Sequence, residues 1–194
     1  MEKSSFINFL KSNIPNIPID EKSIKLIANQ FEERIIPKDE FLLKEGNTSD
    51  YYFLSEGFLR VFTFDNEGNE ITTYFYSKGR IVFDAASFFL KLPSTENIIA
   101  MADCKVFITE FAQLNQLFHS LPAFREFGRQ MLVKEFIAYK QRTLAMINQT
   151  PEQRYVNLIE SNKDVFQYAN LNQIASYLGI SERTLNRIRQ NFLG

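Results

Sequence analysis

The sequence predicts an α+β fold in three consecutive parts: an antiparallel jelly roll, one long helix and a helix-turn-helix. Three observations carry this expectation. Residues 34–110 alternate short runs rich in Ile, Val, Phe, Tyr and Thr with turn residues about every ten positions. Residues 121–148 hold no proline after Pro122 and no β-type run. Residues 171–189 have the small-residue and apolar spacing of two helices that cross at a tight turn.

The elements follow in chain order. Residues 1–33 read as helical, with Phe6, Phe9 and Leu10 on one short apolar face and a break at Pro15 and Pro18. Asp20 and Glu21 open a second helix, where an acidic side chain suits both the N-cap and the positive helix end. Turns between strands are expected at 37–39, 46–47, 56–57, 65–69 and 78–79. The 65–69 segment, with Asp65, Gly68 and Asn69, reads as a hairpin loop. Odd and even positions separate within 58–64, as in a strand with two faces. Phenylalanine dominates the aromatics, twenty against eight tyrosines and no tryptophan, and concentrates at 53–64 and 75–89 inside the β texture.

The next stretch, about 28 residues at ~1.5 Å each, predicts a rod of roughly 40 Å. Ser120 is placed to cap it and Pro122 to sit in its first turn. Phe124, Met131, Ala138 and Ala145 recur every seven positions, while Leu132, Phe136, Tyr139 and Met146 form a second row. A helix apolar on two sides buries one on its own domain and the other on a partner, which predicts a homodimer. Glutamate at Met131 and Ala138 should then place like charges across the seam. The alternative is a central helix of a two-layer monomer.

After Thr150 and Pro151 comes a second helical unit. Ala175 fits a close helix crossing, Gly179 the left-handed turn, and Ser181 an N-cap. Ile174, Leu178, Ile180, Leu185 and Ile188 supply a small core. The second helix then exposes Glu182, Arg183, Asn186, Arg187 and Arg189, donors and acceptors suited to base edges and phosphates. Residues 151–194 hold five basic and four acidic side chains, and three of the basic ones lie on this helix. An ordinary helical hairpin has similar spacing, but has no need of those exposed arginines.

Composition excludes much else. The 194 residues are 45% hydrophobic with net charge −1, unlike a polybasic histone-like or membrane-surface protein. One cysteine, Cys104, excludes a disulfide framework, a zinc ribbon and a four-cysteine cluster. One histidine, His119, excludes the multi-histidine metal site of a cupin-like enzyme, so neither an enzyme nor a bound cofactor is expected. Cys104 lies in a strand pattern and reads as a small buried apolar residue. The N-terminal segment is too short and too polar for a signal peptide or membrane span, which predicts a cytoplasmic protein with no membrane partner.

The order of parts, together with FLLKEG at 41–46, FLSEGFLRV at 53–61, QLFHSLP at 116–122 and ASYLGISERTLNRI at 175–188, resembles the cyclic-AMP receptor protein (Crp/Fnr) family of bacterial transcription regulators. The resemblance covers nearly the whole chain. It implies a cyclic-nucleotide-binding-like sensor domain over 1–120, a dimerisation helix over 121–149 and a winged-helix-type helix-turn-helix domain over 150–194. It also implies double-stranded DNA, a second copy of the chain, a small-molecule effector and RNA polymerase as partners. By the same resemblance Glu182, Arg183 and Arg187 contact bases, with Ser181 and Thr184 near phosphate.

The sequence departs from the family in its nucleotide cassette. The family's Gly-Glu pair falls on Phe83 and Asp84, and its phosphate-neutralising Arg with the following Ser or Thr falls on Ser94 and Thr95. A buried phosphate anion without its arginine loses several kcal/mol, on the order of a buried ion pair, so cyclic AMP is not expected to bind. Asp84 can orient a ligand hydroxyl or equally cap a short helix. Tyr139 and Lys140 fall where the family's dimer helix touches its effector. Any surviving pocket is expected to include Asp84, Thr95 and Tyr139 and to take a neutral or differently charged ligand. The competing function is a cyclic-nucleotide or other small-molecule binding module without a DNA target.

Overall fold

The computed structural model describes residues 4–13 and 19–193. The expected break at Pro15 and Pro18 lies outside the described residues. Helices α1 (Ser4–Asn13) and α2 (Glu21–Asn29) bury Phe6, Leu10, Ile24 and Ile27. Asp20 caps α2, its carboxylate accepting the Ser23 N–H at 2.7 Å. The hydrogen bonds from Ser23 hold that carboxyl below its ordinary range.

Eight strands follow: β1 (Glu32–Ile36), β2 (Phe41–Leu43), β3 (Tyr51–Glu56), β4 (Phe58–Phe64), β5 (Glu70–Ser77), β6 (Arg80–Val82), β7 (Asn97–Ala100) and β8 (Cys104–Thr109). The β texture thus starts at Glu32, slightly earlier than the sequence suggests. The strands form two antiparallel four-stranded sheets, ordered β1-β8-β3-β6 and β2-β7-β4-β5. The chain crosses between sheets at most turns, which is the jelly-roll path. Only β4 and β5 are neighbours both in sequence and in one sheet. Their hairpin is closed by Asp65, whose Oδ1 accepts the N–H groups of Glu67 and Asn69, each at 2.9 Å. At the β3–β4 crossing Gly57 has φ +96°, and a Cβ there would lie 2.5 Å from Cys104 Sγ and 2.7 Å from the Asp103 carbonyl. Only glycine fits.

Alternation sorts the side chains into separate cores. Leu54, Leu59, Val61, Ile98 and Val106 point between the sheets. Phe53 and Phe107, directly opposite in the β3–β8 ladder, point outward and pack under α1 against Phe6. This explains the phenylalanine excess: the outer face of the first sheet is covered by helices, so both faces of its strands are apolar. Cys104 is buried, as the sequence predicts, with Sγ 3.2 Å from the Ala102 carbonyl. Burial pushes its thiol up.

Helix α3 (Ala85–Leu90) interrupts the sandwich, and α4 (Phe111–Ser120) leads into the long α5 (Pro122–Asn148). Ser120 does not cap α5. It ends α4, its hydroxyl donating back to the Gln116 carbonyl at 2.8 Å, and extended Leu121 (φ −124°) precedes the helix. The ring of Pro122 disfavours helical geometry at the residue before it, so Leu121 becomes the joint. Phe124, Phe127 and Gly128 are buried, and Met131 packs on the same core. Met131, expected at the seam, thus packs at least in part on the chain's own sandwich. Further along, α5 exposes Val133, Phe136 (70% exposed), Ile137, Leu144 and Ile147 (76% exposed).

The C-terminal unit comprises α6 (Pro151–Ser161), α7 (Val165–Tyr168), α8 (Leu171–Leu178) and α9 (Glu182–Leu193). Thr150 and Gln153 form a capping box on α6, and Asn170 and Gln173 form another on α8. No strand forms among the described residues of this unit, so no β wing accompanies the two helices. The connection from α7 to α8, at 169–170, is too short for a hairpin. No described helix is long and apolar enough to cross a membrane.

Candidate DNA-reading helix and sensor cavity

Helix α8 ends at Gly179, in the left-handed conformation at φ +65°. The Gly179 and Ile180 N–H groups fold back onto the Ser176 and Ala175 carbonyls, each at 3.0 Å, and so close the turn. Ser181 then starts α9, its hydroxyl accepting the Thr184 N–H at 3.2 Å. Ile174, Ala175 and Leu178 of α8 meet Leu185 and Ile188 of α9 over Leu158 and Val165, and all are buried. That core fixes which side of α9 faces out.

The outward side is polar. Glu182, Arg183, Thr184, Asn186, Arg187 and Gln190 border one shallow groove. The side chain of Arg187 is 68% exposed and lies 3.9 Å from Glu152, a separation at which the pair leaves the guanidinium free to re-aim. The hydroxyls of Ser181 and Thr184 are 2.9 Å apart and bonded to each other. Arg189, expected on this face, is half-buried and does not border the groove. Gln190 does, and the sequence reading missed it. It stands three residues after Arg187 and seven after Arg183, the spacing that marks one helix face.

A cavity of about 740 Å³ lies between the sandwich and α5. Of the six pocket residues expected from the cassette, Phe83, Asp84, Tyr139 and Lys140 border it. Ser94 and Thr95 do not. Ser94 is 3% exposed, and its hydroxyl donates to Asp84 Oδ2 at 2.7 Å and accepts the Glu96 N–H at 3.0 Å. Thr95 is exposed, its carbonyl accepting the Thr63 hydroxyl at 2.9 Å. A surviving pocket thus keeps Asp84 and Tyr139 of the expected wall and loses Thr95. The loop turns inward at Ser94, whose N–H donates to the Asn47 carbonyl and whose carbonyl accepts the Gly46 N–H, each at 2.8 Å.

Asp84 also caps α3, accepting the Ser87 N–H at 3.2 Å. Phe83 packs on Tyr51, with ring centroids 5.0 Å apart, and fills the space a glycine would leave open. The sequence reading missed the rest of the wall. Tyr74 and Tyr76 alternate along β5 onto one face, with centroids 4.6 Å apart, and Glu96, Glu135 and Phe136 complete it. Burial pushes the Tyr76 hydroxyl and the Glu96 carboxyl up, the latter against a smaller opposing pull from the Thr73 hydroxyl. Glu135 is paired with Arg80 at 3.4 Å. Cys104 is buried in β8 and His119 is exposed on α4. No cluster of three metal-ligating side chains occurs among the described residues.

Residues 33–120 match the family model of the cyclic nucleotide-binding domain. No curated protein sequence matches the chain. Among solved structures, the chain is similar to the c-di-GMP-responsive global regulator CLP of Xanthomonas campestris, with TM-score 0.70 at 13% identity over 90% of this chain and 92% of that one. It is similar to the catabolite activator protein of Thermus thermophilus, with TM-score 0.57 at 16% identity over 93% and 86%. It is also similar to a Eubacterium rectale protein assigned to the crp/fnr family of transcriptional regulators, with TM-score 0.69 at 15% identity over 90% and 84%. Residues 33–120 thus match the cyclic nucleotide-binding domain family, and the chain as a whole has the fold of these solved regulators.

Proposed function

We propose that this chain is a DNA-binding transcription regulator of the Crp/Fnr type. The observation that carries the reading is the polar face of α9, held outward by its apolar core with Arg183 and Arg187 exposed. In this reading residues 1–120 sense, 121–149 pair two copies and 150–194 read DNA. The uncovered apolar residues of α5, Phe136 and Ile147 among them, support a homodimer. Two symmetry-related copies of α9 then enter successive major grooves, roughly 34 Å apart, and the target is an inverted repeat. Glu182, Arg183 and Arg187 meet base edges, and Ser181 and Thr184 lie by phosphate. RNA polymerase is the partner through which a bound dimer acts, in the cytoplasm.

The sensor cavity is not built for cyclic AMP. Ser94 stands where the family carries the arginine and spends its hydroxyl on Asp84, and the acidic Asp84, Glu96 and Glu135 border the space. A cyclic phosphate there meets carboxylates rather than a guanidinium. Selection of bound sequences from random DNA tests the whole reading. An enriched inverted repeat is expected. Recovery of no motif, with or without small-molecule extract, leaves instead a small-molecule module without a DNA target.

A further inference from the structure

The charges around the sensor cavity are unequally committed. Glu135 has Arg80, and Asp84 has the Ser94 hydroxyl and the Ser87 N–H. Lys140 borders the cavity too, but is exposed on α5. Glu96 differs from all three. It borders the cavity and is half-buried, and it forms no ion pair among the described residues. Beside the Thr73 hydroxyl, the wall also holds apolar and aromatic side chains: Val61, Ile81, Ile98, Phe83 and the neighbouring rings of Tyr74 and Tyr76.

A half-buried carboxylate beside aromatic side chains is a combination that recognises an organic cation. The carboxylate supplies the counter-charge, and the ring quadrupoles attract the same positive centre. An anion in the same space meets three acidic groups, with Arg80 already taken by Glu135. A neutral apolar molecule fills the walls but leaves Glu96 without a counter-charge. We propose that the cavity binds a small organic ammonium on an apolar body, with Glu96 as its counter-ion and Tyr74 and Tyr76 as its aromatic wall. This deepens the reading of the sandwich as the sensor and rests on it. The direction in which burial moves the Glu96 carboxyl agrees, since a bound cation relieves that desolvation.

Calorimetry on the full chain tests the proposal with matched probes: the amines 2-phenylethylamine and tryptamine, uncharged 2-phenylethanol, and anionic 3-phenylpropionate. The amines should bind about tenfold or more tightly than the alcohol, the factor expected of one charge-assisted contact, and the acid should not bind. Glu96→Gln should abolish the preference for amine while retaining the alcohol, whose binding reports an intact cavity. Equal binding of amine and alcohol overturns the proposal, as does binding of the acid. So does an unchanged preference in Glu96→Gln, or no binding of either amine at millimolar concentration. DNA selection without added ligand is a separate readout: a chain that selects an inverted repeat yet ignores the amines sinks this proposal alone.

Discussion

The backbone N–H of Thr72 in β5 donates to the Ser176 hydroxyl in α8 at 2.9 Å, joining residues 104 positions apart. β5 is the edge of its sheet, so α8 covers unpaired strand groups that would otherwise face water or another chain. Aromatic contacts reinforce the junction: Phe58 stacks on Tyr168 at 5.0 Å and Phe75 meets Tyr177 at 5.2 Å. The guanidinium of Arg142, on α5, lies 3.8 Å from the Tyr177 ring centre and donates to the Tyr177 carbonyl at 3.1 Å. Sandwich, long helix and C-terminal helices therefore share one packed surface, and a change at the sandwich has a direct route to α8.

Ser176→Ala tests that junction. It leaves the buried Thr72 N–H without its acceptor, which should cost about 1–3 kcal/mol of stability. Hydrogen exchange at the Thr72 amide should speed up more than at Phe53 or Phe107, which sit mid-ladder on the far sheet. Unchanged exchange at Thr72 would mean the bond does not hold the domains together.

The exposed side of α5 gives a prediction about assembly. Phe136 and Ile147 are eleven residues apart, close to three full turns, and so share one stripe. Glutamate at both should raise the dimer dissociation constant by roughly 100-fold or more, because each charge loses water at the seam. Sedimentation reads the result directly. A double variant that remains dimeric at micromolar concentration places the seam elsewhere.

Local chemistry explains what the sequence made legible. The hairpin at Asp65, the crossing at Gly57 and the turn at Gly179 each depend on one residue type with a special backbone or capping role, so they stand out along the chain. Contacts between distant residues leave no such mark. Serine at position 176 reads as an ordinary polar helix residue, and nothing in the sequence pairs it with Thr72. The inward turn of Ser94 toward Asp84 is equally silent, which is why Thr95 was expected in the pocket wall. Arg189 reads as an exposed donor of α9, although the helical period from Leu185 and Ile188 carries it toward the core side. The Tyr74 and Tyr76 wall was within reach, since alternation along β5 puts both on one face.

Two glycines should respond differently to alanine. Gly57→Ala brings a Cβ within 2.8 Å of the Asp103 carbonyl oxygen and the Cys104 backbone, at positive φ. The backbone cannot yield cheaply, and the loss should exceed the roughly 1–3 kcal/mol of the strained conformation alone. Gly179→Ala meets chiefly the end of the Met146 side chain, at 2.5 Å, which can swing aside. Its cost should stay near the roughly 1–2 kcal/mol of a left-handed non-glycine residue. Chemical denaturation of the two variants orders them. The reverse order would refute the close packing at the β3–β4 crossing.

Glu96 makes stability depend on pH in a defined direction. Burial is the larger cause of its raised carboxyl pKa, and Asp84 nearby adds to it. With the folded value above the unfolded one, the folded state binds the proton more tightly. The stability this contributes is present in acid and is lost as pH rises through the raised value. Glu96→Gln removes the titration, so the variant should gain stability over the parent as pH goes from acidic to neutral. Asp50, raised by its own burial, titrates in both proteins and cancels from the difference. Melting temperatures of the two chains across that range decide the matter, and a constant difference would mean Glu96 is solvated.

The reading role proposed for α9 divides between two kinds of contact. Arg187, exposed and only loosely tied to Glu152, can turn its fork toward the edge of a guanine. Arg187→Ala should cost about 1–3 kcal/mol per half-site and relax the preference at one base position. Thr184 is bonded to Ser181 at the start of the helix, where a phosphate would lie against the N–H groups of the first turn. Thr184→Ala should weaken all sequences alike and leave the preferred motif unchanged. Repeating the selection from random DNA on both variants, at fixed salt because phosphate contacts are salt-dependent, separates the two. An unaltered motif and affinity for Arg187→Ala would remove that residue from base reading, and a shifted motif for Thr184→Ala would move that one into it.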